Sequence, residues 1–298
     1  MACEGIEHID GKLYVFSSFK NKKEKKHYLF AQILDVNTLK RISELVPIGE
    51  VSYTEFKKSN ETLFESAVSK NGKQIVTFYS LLSKKGYIIQ NDLFVFSADL
   101  EPIWGYNNVS FNSAAGTAAY RDFALSNNSE VFVLVEEFKE DKPSKFKISK
   151  LTERLEERSF FDLSLKNKNI VQVDFEIADE KFICNGLYSE GYMYSPNGAF
   201  TFTIDPFTKA IENVNTKKIE WALIEKGLDK DGLKAYNKYR KKKEDWEANR
   251  YDLSEIKTKS DGSKYFTAEQ TKKLTRSTSD GRTRTTYTLY LNLSLIHI

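Results

Sequence analysis

An all-β fold assembled from repeated units is predicted for this 298-residue chain by three observations. The first is composition: 21 Phe and 16 Tyr stand against 2 Met, and aromatic side chains suit pleated, half-buried strands better than helices. The second is a tight turn that feeds a β-rich run. It occurs at Asp10-Gly11, Asn71-Gly72, Asn128-Ser129, Asp179-Glu180 and Asp261-Gly262, at spacings of 61, 57, 51 and 82 residues. The third is a later strand that ends in a polar turn residue, at Asp35, Asp99, Thr152 and Asp205, at offsets of 25, 28, 24 and 26 residues from the first four turns. Two markers that keep their mutual distance through four copies signal a solenoid, a propeller or an array. Units of this length with about four short strands predict blades, so the fold class is a β-propeller fragment of four-stranded blades with a helical insertion. A pair of β-sandwich domains is the alternative.

The units follow in order. The first places strands at residues 13–19 and 28–36, joined by the run from Lys20 to Lys26, which reads as a solvated hairpin tip rather than a phosphate patch. The second gathers a leading strand near residues 64–68, the Asn71-Gly72 turn, strands at 74–82 and 92–97, and a closing Pro102-Ile103-Trp104. Asn-Gly between alternating apolar runs is the strongest short-range hairpin signal. The third opens on Asp122-Phe123-Ala124-Leu125 and continues through residues 131–138, a polar loop at 139–144 and a strand at 145–149; the fourth covers 172–177, 181–187, 199–204 and 210–214. These four blades span residues 9–219.

The pattern then changes once. Residues 220–250 turn helical in character: Trp221, Leu223 and Ile224 form a short apolar face, Gly227 can end it, and Asp231 can cap a second helix. Taking these 31 residues from the 82-residue spacing leaves 51, the spacing of the preceding unit, so the segment is an insertion. An incomplete fifth blade occupies residues 251–292. The last six residues, Leu293-Ser294-Leu295-Ile296-His297-Ile298, resemble a translated sequencing adapter, so residues 293–298 are set aside as a non-native tail and the natural chain is expected to be interrupted near Asn292.

Composition excludes several functions. The 45 basic and 42 acidic residues nearly cancel to a net +3, which gives no general attraction to nucleic acid or anionic lipid. No apolar run approaches the ~20 residues of a membrane helix. Cys3 and Cys184 form neither a disulfide framework nor a CxxC pair, and Cys184 reads as a small buried side chain. With His297 set aside, His8 and His27 are the histidines that remain, each expected at a surface or strand edge, so neither a nucleophile–histidine site nor a histidine metal site is predicted. Asp229-Lys230-Asp231-Gly232 lacks the third oxygen ligand and later glutamate of a calcium loop and reads as a helix cap. Glu136 and Glu137, adjacent on a strand, face opposite sides, and Glu156-Glu157 is a second adjacent pair; carboxylates that converge from separate blades cannot be seen in one sequence. No phosphate-cradling glycine loop occurs and no cofactor is predicted. The insertion carries the marked charge cluster, Lys234, Lys238, Arg240, Lys241, Lys242 and Lys243, interleaved with Tyr236, Tyr239 and Trp246. Those aromatics pack a helix onto the blades more simply than they stack on bases, and the lysines are a solvated back or a partner contact.

In wording, residues 9–219 and 251–292 resemble uncharacterised bacterial propeller-repeat proteins, whose blades carry an Asn/Asp-Gly turn before a strand like residues 74–78. WD dipeptides and kelch double glycines are absent. The resemblance implies export to the periplasm or cell surface and a binding or scaffolding role. The function expected is therefore a non-enzymatic propeller module for an unknown protein or glycan, with no specific nucleic acid and no catalytic residue; the alternative is a propeller-type hydrolase acting on glycan or peptide.

Overall fold

The computed structural model describes residues 2–52, 59–83, 88–111, 117–138, 143–154, 157–178, 180–190, 196–219, 230, 233–234, 237, 251–258, 264–277 and 284–297. The fold is all-β, of the β-propeller class. Four successive four-stranded antiparallel sheets carry it: β1 (Ala2–Ile9), β2 (Lys12–Asn21), β3 (Lys26–Asp35) and β4 (Val46–Ser52); β5 (Ser59–Val68), β6 (Gln74–Ser83), β7 (Ile88–Ser97) and β8 (Pro102–Tyr106); β9 (Thr117–Leu125), β10 (Val131–Phe138), β11 (Lys145–Leu151) and β12 (Ser159–Leu163); and β13 (Asn169–Ala178), β14 (Lys181–Ser189), β15 (Gly198–Ile204) and β16 (Ile211–Lys218). A three-stranded sheet of β17 (Tyr251–Thr258), β18 (Lys264–Ser277) and β19 (Arg284–His297) follows. In each sheet the strands pair in chain order, the up-and-down meander that tight turns dictate.

The repeated turn has a backbone cause. Its second residue lies in the left-handed region in all four described copies: Gly11 at φ 76°, Gly72 at 68°, Ser129 at 63° and Glu180 at 60°. The second marker is also a built turn. Asp35 Oδ1 accepts from the amides of Asn37 and Thr38, and Asp205 Oδ1 accepts from those of Phe207 and Thr208. Such side-chain turns explain why Asp recurs where the third strand of a blade stops. The fifth turn, at Asp261-Gly262, lies outside the described residues.

The first sheet begins at β1, ahead of the residue-9 boundary and before the first turn. β19 continues past Asn292 to His297, which pairs with Tyr265. Within 220–250, Lys230, Leu233, Lys234 and Asn237 have helical backbone; the rest of the expected helical hairpin lies outside the described residues.

The chain divides into two compact units, one of Met1–Asn112, Ala119–Val135 and Ile148–Phe160, the other of Ser113–Ala118, Glu136–Lys147 and Phe161–Ile298. In the first unit, alternate residues of β2, β3 and β6 form one core: Tyr14 and Phe16, Leu29, Ala31 and Ile33, and Ile75, Tyr79 and Leu81. The other face of β6 is also covered, with the Phe78 ring 4.4 Å from that of Phe123 and 5.3 Å from that of Tyr120. A strand buried on both faces needs a near-continuous apolar run, which is what Ile75-Val76-Thr77-Phe78-Tyr79 supplies. In the second unit, Phe182 packs edge-on against Phe161 and Phe175, and Cys184 is buried as expected.

Candidate active site

The leading strands β1, β5 and β9 line a cleft of about 420 Å³ in the first unit, walled by Glu4, Glu7, Glu65, Asp122, Phe64 and Phe123. Strand alternation decides which side chains meet. On β5, Phe64 and Ser66 lie opposite Tyr79 and Thr77 and face the first blade, while Glu65 lies opposite Phe78 and faces the third. Ser66 Oγ accordingly donates to Glu7 Oε1 at 2.7 Å, and Tyr120 OH donates to Glu65 Oε2 at 2.7 Å.

Glu4 and Glu7 share a face only because β1 is bulged. The pairing slips between Cys3 and Gly5, so Glu4 is an extra residue opposite no partner. On a regular strand, residues three apart point to opposite sides; the bulge re-aims Glu4, and Ser18 Oγ donates to its Oε1. Ser18 shares a face of β2 with Tyr14 and Phe16, and Glu7 pairs with Tyr14, so both carboxylates project to one side.

Burial sets the protonation of the neighbours. Burial pushes the Tyr120 phenol well above the ordinary tyrosine range; the Ser80 hydroxyl opposes this, and the hydrogen bond and charge of the Glu65 carboxylate reinforce it. The raised pKa keeps the Tyr120 phenol protonated at neutral pH, so it donates to Glu65. Behind it, Ser80 Oγ lies 3.2 Å from Tyr120 OH and 2.7 Å from Asn91 Oδ1. Asp92, nearby in sequence on β7, has its carboxyl raised by burial, partly offset by the Asn108 amide and Gln90.

The other singled-out residues are placed elsewhere. His8 is exposed on β1. His27 is not at a surface: it is 6% exposed, with Nδ1 2.6 Å from Tyr79 OH, because its position on β3 falls on the face that packs against the second blade. Burial lowers its pKa, with Glu4 opposing and Lys20 reinforcing. Glu137 pairs with Lys147 on the next strand, and Glu157 with Arg154 at 3.2 Å. Lys22, Lys23 and Lys25 are exposed in the first hairpin tip, as a solvated run requires. Asp229, Asp231 and Gly232, Glu156 and the basic cluster from Lys238 to Lys243 lie outside the described residues. Among the described residues no group of three His, Cys, Asp or Glu side chains is placed to hold a metal, and no helix is long and apolar enough to cross a membrane. Sequence inspection passed over Glu7, Glu65 and Tyr120; the one local signal was that each lies on the strand leading into a repeated turn.

No family model matches the chain, and no curated protein matches it. Solved structures do. The polysaccharide lyase Uly1 is 11% identical at a TM-score of 0.47, over 100% of this chain and 72% of that one. A thermostable family-43 glycoside hydrolase is 11% identical at 0.40, over 97% and 90%. An exo-β-1,3-galactanase from Phanerochaete chrysosporium is 9% identical at 0.38, over 91% of this chain and 57% of that one. These proteins are glycan-acting enzymes, and with them the expectation of a non-enzymatic binding or scaffolding module is corrected. The missing histidines had motivated that expectation, but carboxylates lining a cleft, one of them held by a buried tyrosine behind it, supply titratable chemistry without histidine.

Proposed function

We propose that the cleft between β1, β5 and β9 is the active site of a propeller-type hydrolase acting on glycans. The observation that supports this most is the 2.7 Å contact by which the buried Tyr120 OH holds Oε2 of Glu65, a carboxylate of the cleft that Glu4, Glu7 and Asp122 also line. Glycoside hydrolysis needs two carboxyl groups, one to protonate the leaving oxygen and one to receive charge or a proton on the other side of the anomeric carbon. Water is consumed: its oxygen goes to the anomeric carbon, and the departing oxygen carries away a proton. Phe64, Phe123 and the 60%-exposed Ile6 offer apolar surface to the C–H face of a sugar ring. Four carboxylates and no basic side chain among the described lining residues favour a neutral sugar over a uronate, which like charge would repel.

The test is hydrolysis of a panel of neutral and uronate-bearing oligosaccharides, with β-1,3-galactan as the first neutral member. Cleavage of a neutral glycan that falls about 10²–10⁴-fold in Glu65→Gln supports the proposal. No cleavage of any neutral glycan, or full activity in Glu65→Gln, overturns it.

A further inference from the structure

Three contacts run in series behind the cleft: Asn91 to Ser80 at 2.7 Å, Ser80 to Tyr120 at 3.2 Å, and Tyr120 to Glu65 at 2.7 Å. Ser80 is fully buried and Asn91 is 1% exposed, so bulk solvent does not reach the set. Each hydroxyl owns one proton, and an ionised carboxylate owns none. With Asn91 Oδ1 toward Ser80, two protons must serve three contacts, and the Asn91 Nδ2 group is left without a partner. A buried N–H in that condition is destabilising. Turning the carboxamide over changes no shape. It then brings Nδ2 to Ser80, provides three protons for three contacts, and leaves a carbonyl oxygen unbonded instead, the less costly orphan.

We propose that Asn91, Ser80 and Tyr120 form a one-way donor chain that ends on Glu65, and that this chain assigns Glu65 the accepting role in glycan cleavage, as base or nucleophile. Asn91 donates to Ser80, Ser80 to Tyr120, and Tyr120 to Oε2 of Glu65. Each donor polarises the next, and the last bond, to a charged acceptor, is the strongest. Oε2 is thereby occupied, and Oε1 is the oxygen left for chemistry. Asn91, Ser80 and Tyr120 are positioning residues; the acid must come from Glu4, Glu7 or Asp122. The bond chain stands by itself, while its use in cleavage rests on the hydrolase proposal.

A ring-fluorinated tyrosine at position 120 of the full chain, followed by fluorine NMR through a pH titration, reads the chain directly. Glu65 is the charged group that acts on Tyr120. Glu65→Gln removes it and lowers the phenol midpoint. Ser80→Ala removes a donor to the phenol oxygen and raises the midpoint. Ser80→Cys, a weak donor of similar shape, moves it the same way by less and serves where Ser80→Ala does not fold. A fall of the midpoint in Ser80→Ala or Ser80→Cys, or no change in Glu65→Gln, overturns the donor direction. In the wild-type fold, Ser80→Ala should also lower kcat on a cleaved glycan with KM held. Midpoints that move as expected in a chain that cleaves no glycan leave the bonded chain standing and remove the hydrolase proposal. Cleavage with midpoints that move the other way removes the chain alone.

Discussion

Gly72 sits at φ 68°, and a Cβ built on it would lie 3.0 Å from Ile9 Cγ2 and 3.4 Å from Asp10 Oδ2 of the first blade's turn. Both the angle and the space therefore select glycine. Gly72→Ala should lower stability by about 1–2 kcal/mol, read as a lower urea midpoint with the slope unchanged. His27 gives a second residue-scale prediction. Its folded pKa is depressed by burial, so below the unfolded value of 6.5 the unfolded chain binds a proton that the native one does not. Stability contributed by neutral His27 is complete above pH 6.5 and is lost as pH falls from there toward the folded pKa. Urea midpoints measured from pH 7.5 downward should drop more steeply for the wild type than for His27→Gln. Neither effect requires a ligand. Glycine at the turn was legible in the sequence because the left-handed angle is a local demand; the burial of His27 was not, because nothing local says which face of β3 is covered.

At the scale of one element, β1 carries the clearest consequence of a register slip. Deleting Glu4 restores a regular pleat, removes one carboxylate from the cleft, and keeps residues 5 to 9 in their pairing. This variant should fold with a small change in Tm and lose glycan turnover by about 10²-fold or more, checked by thermal melts and hydrolysis on the same sample. On β6, Phe78 is fully buried against Phe123 and Tyr120. Phe78→Ala should cost about 3–5 kcal/mol, because removing a ring there leaves a cavity between two blades and loosens the Tyr120 contact to Glu65. Chemical denaturation followed by tryptophan fluorescence measures it, since Trp104 Nε1 donates to Ser129 O, in the third blade's turn. The strand pattern of β6 could be read from its apolar run. The bulge in β1 could not, since Ala2-Cys3-Glu4-Gly5 has no residue that marks the extra position.

For the whole chain, the repeat is a statement about sheets rather than chemistry. Deleting residues 220–250, the expected helical insertion, should leave the far-UV signature of the strands in place and remove the helical component. Retention of that helical component in the deletion variant would place the helix elsewhere. Charge balance adds a consequence for substrate. With 45 basic and 42 acidic residues overall, the carboxylates of the cleft are a local concentration rather than part of a general negative surface, so selection against uronates should weaken with added salt.

Local sequence was enough for the all-β class, for the approximate positions of many strands and for the first four copies of both repeated turns. Those features follow from alternation, from Asn, Asp and Gly at left-handed or side-chain-capped positions, and from constant spacing, all of which act within a few residues. Tertiary structure decided the site. Tyr120 and Glu65 stand 55 residues apart, and they meet because Glu65 falls on the face of β5 that turns to the third blade. Glu4 joins Glu7 through a one-residue slip, and Asn91 and Ser80 reach Tyr120 across the β6–β7 pairing. Which face a strand buries, and where its register slips, depends on neighbours far along the chain. A carboxylate's partner is therefore set by blade packing, which has no signature in local composition.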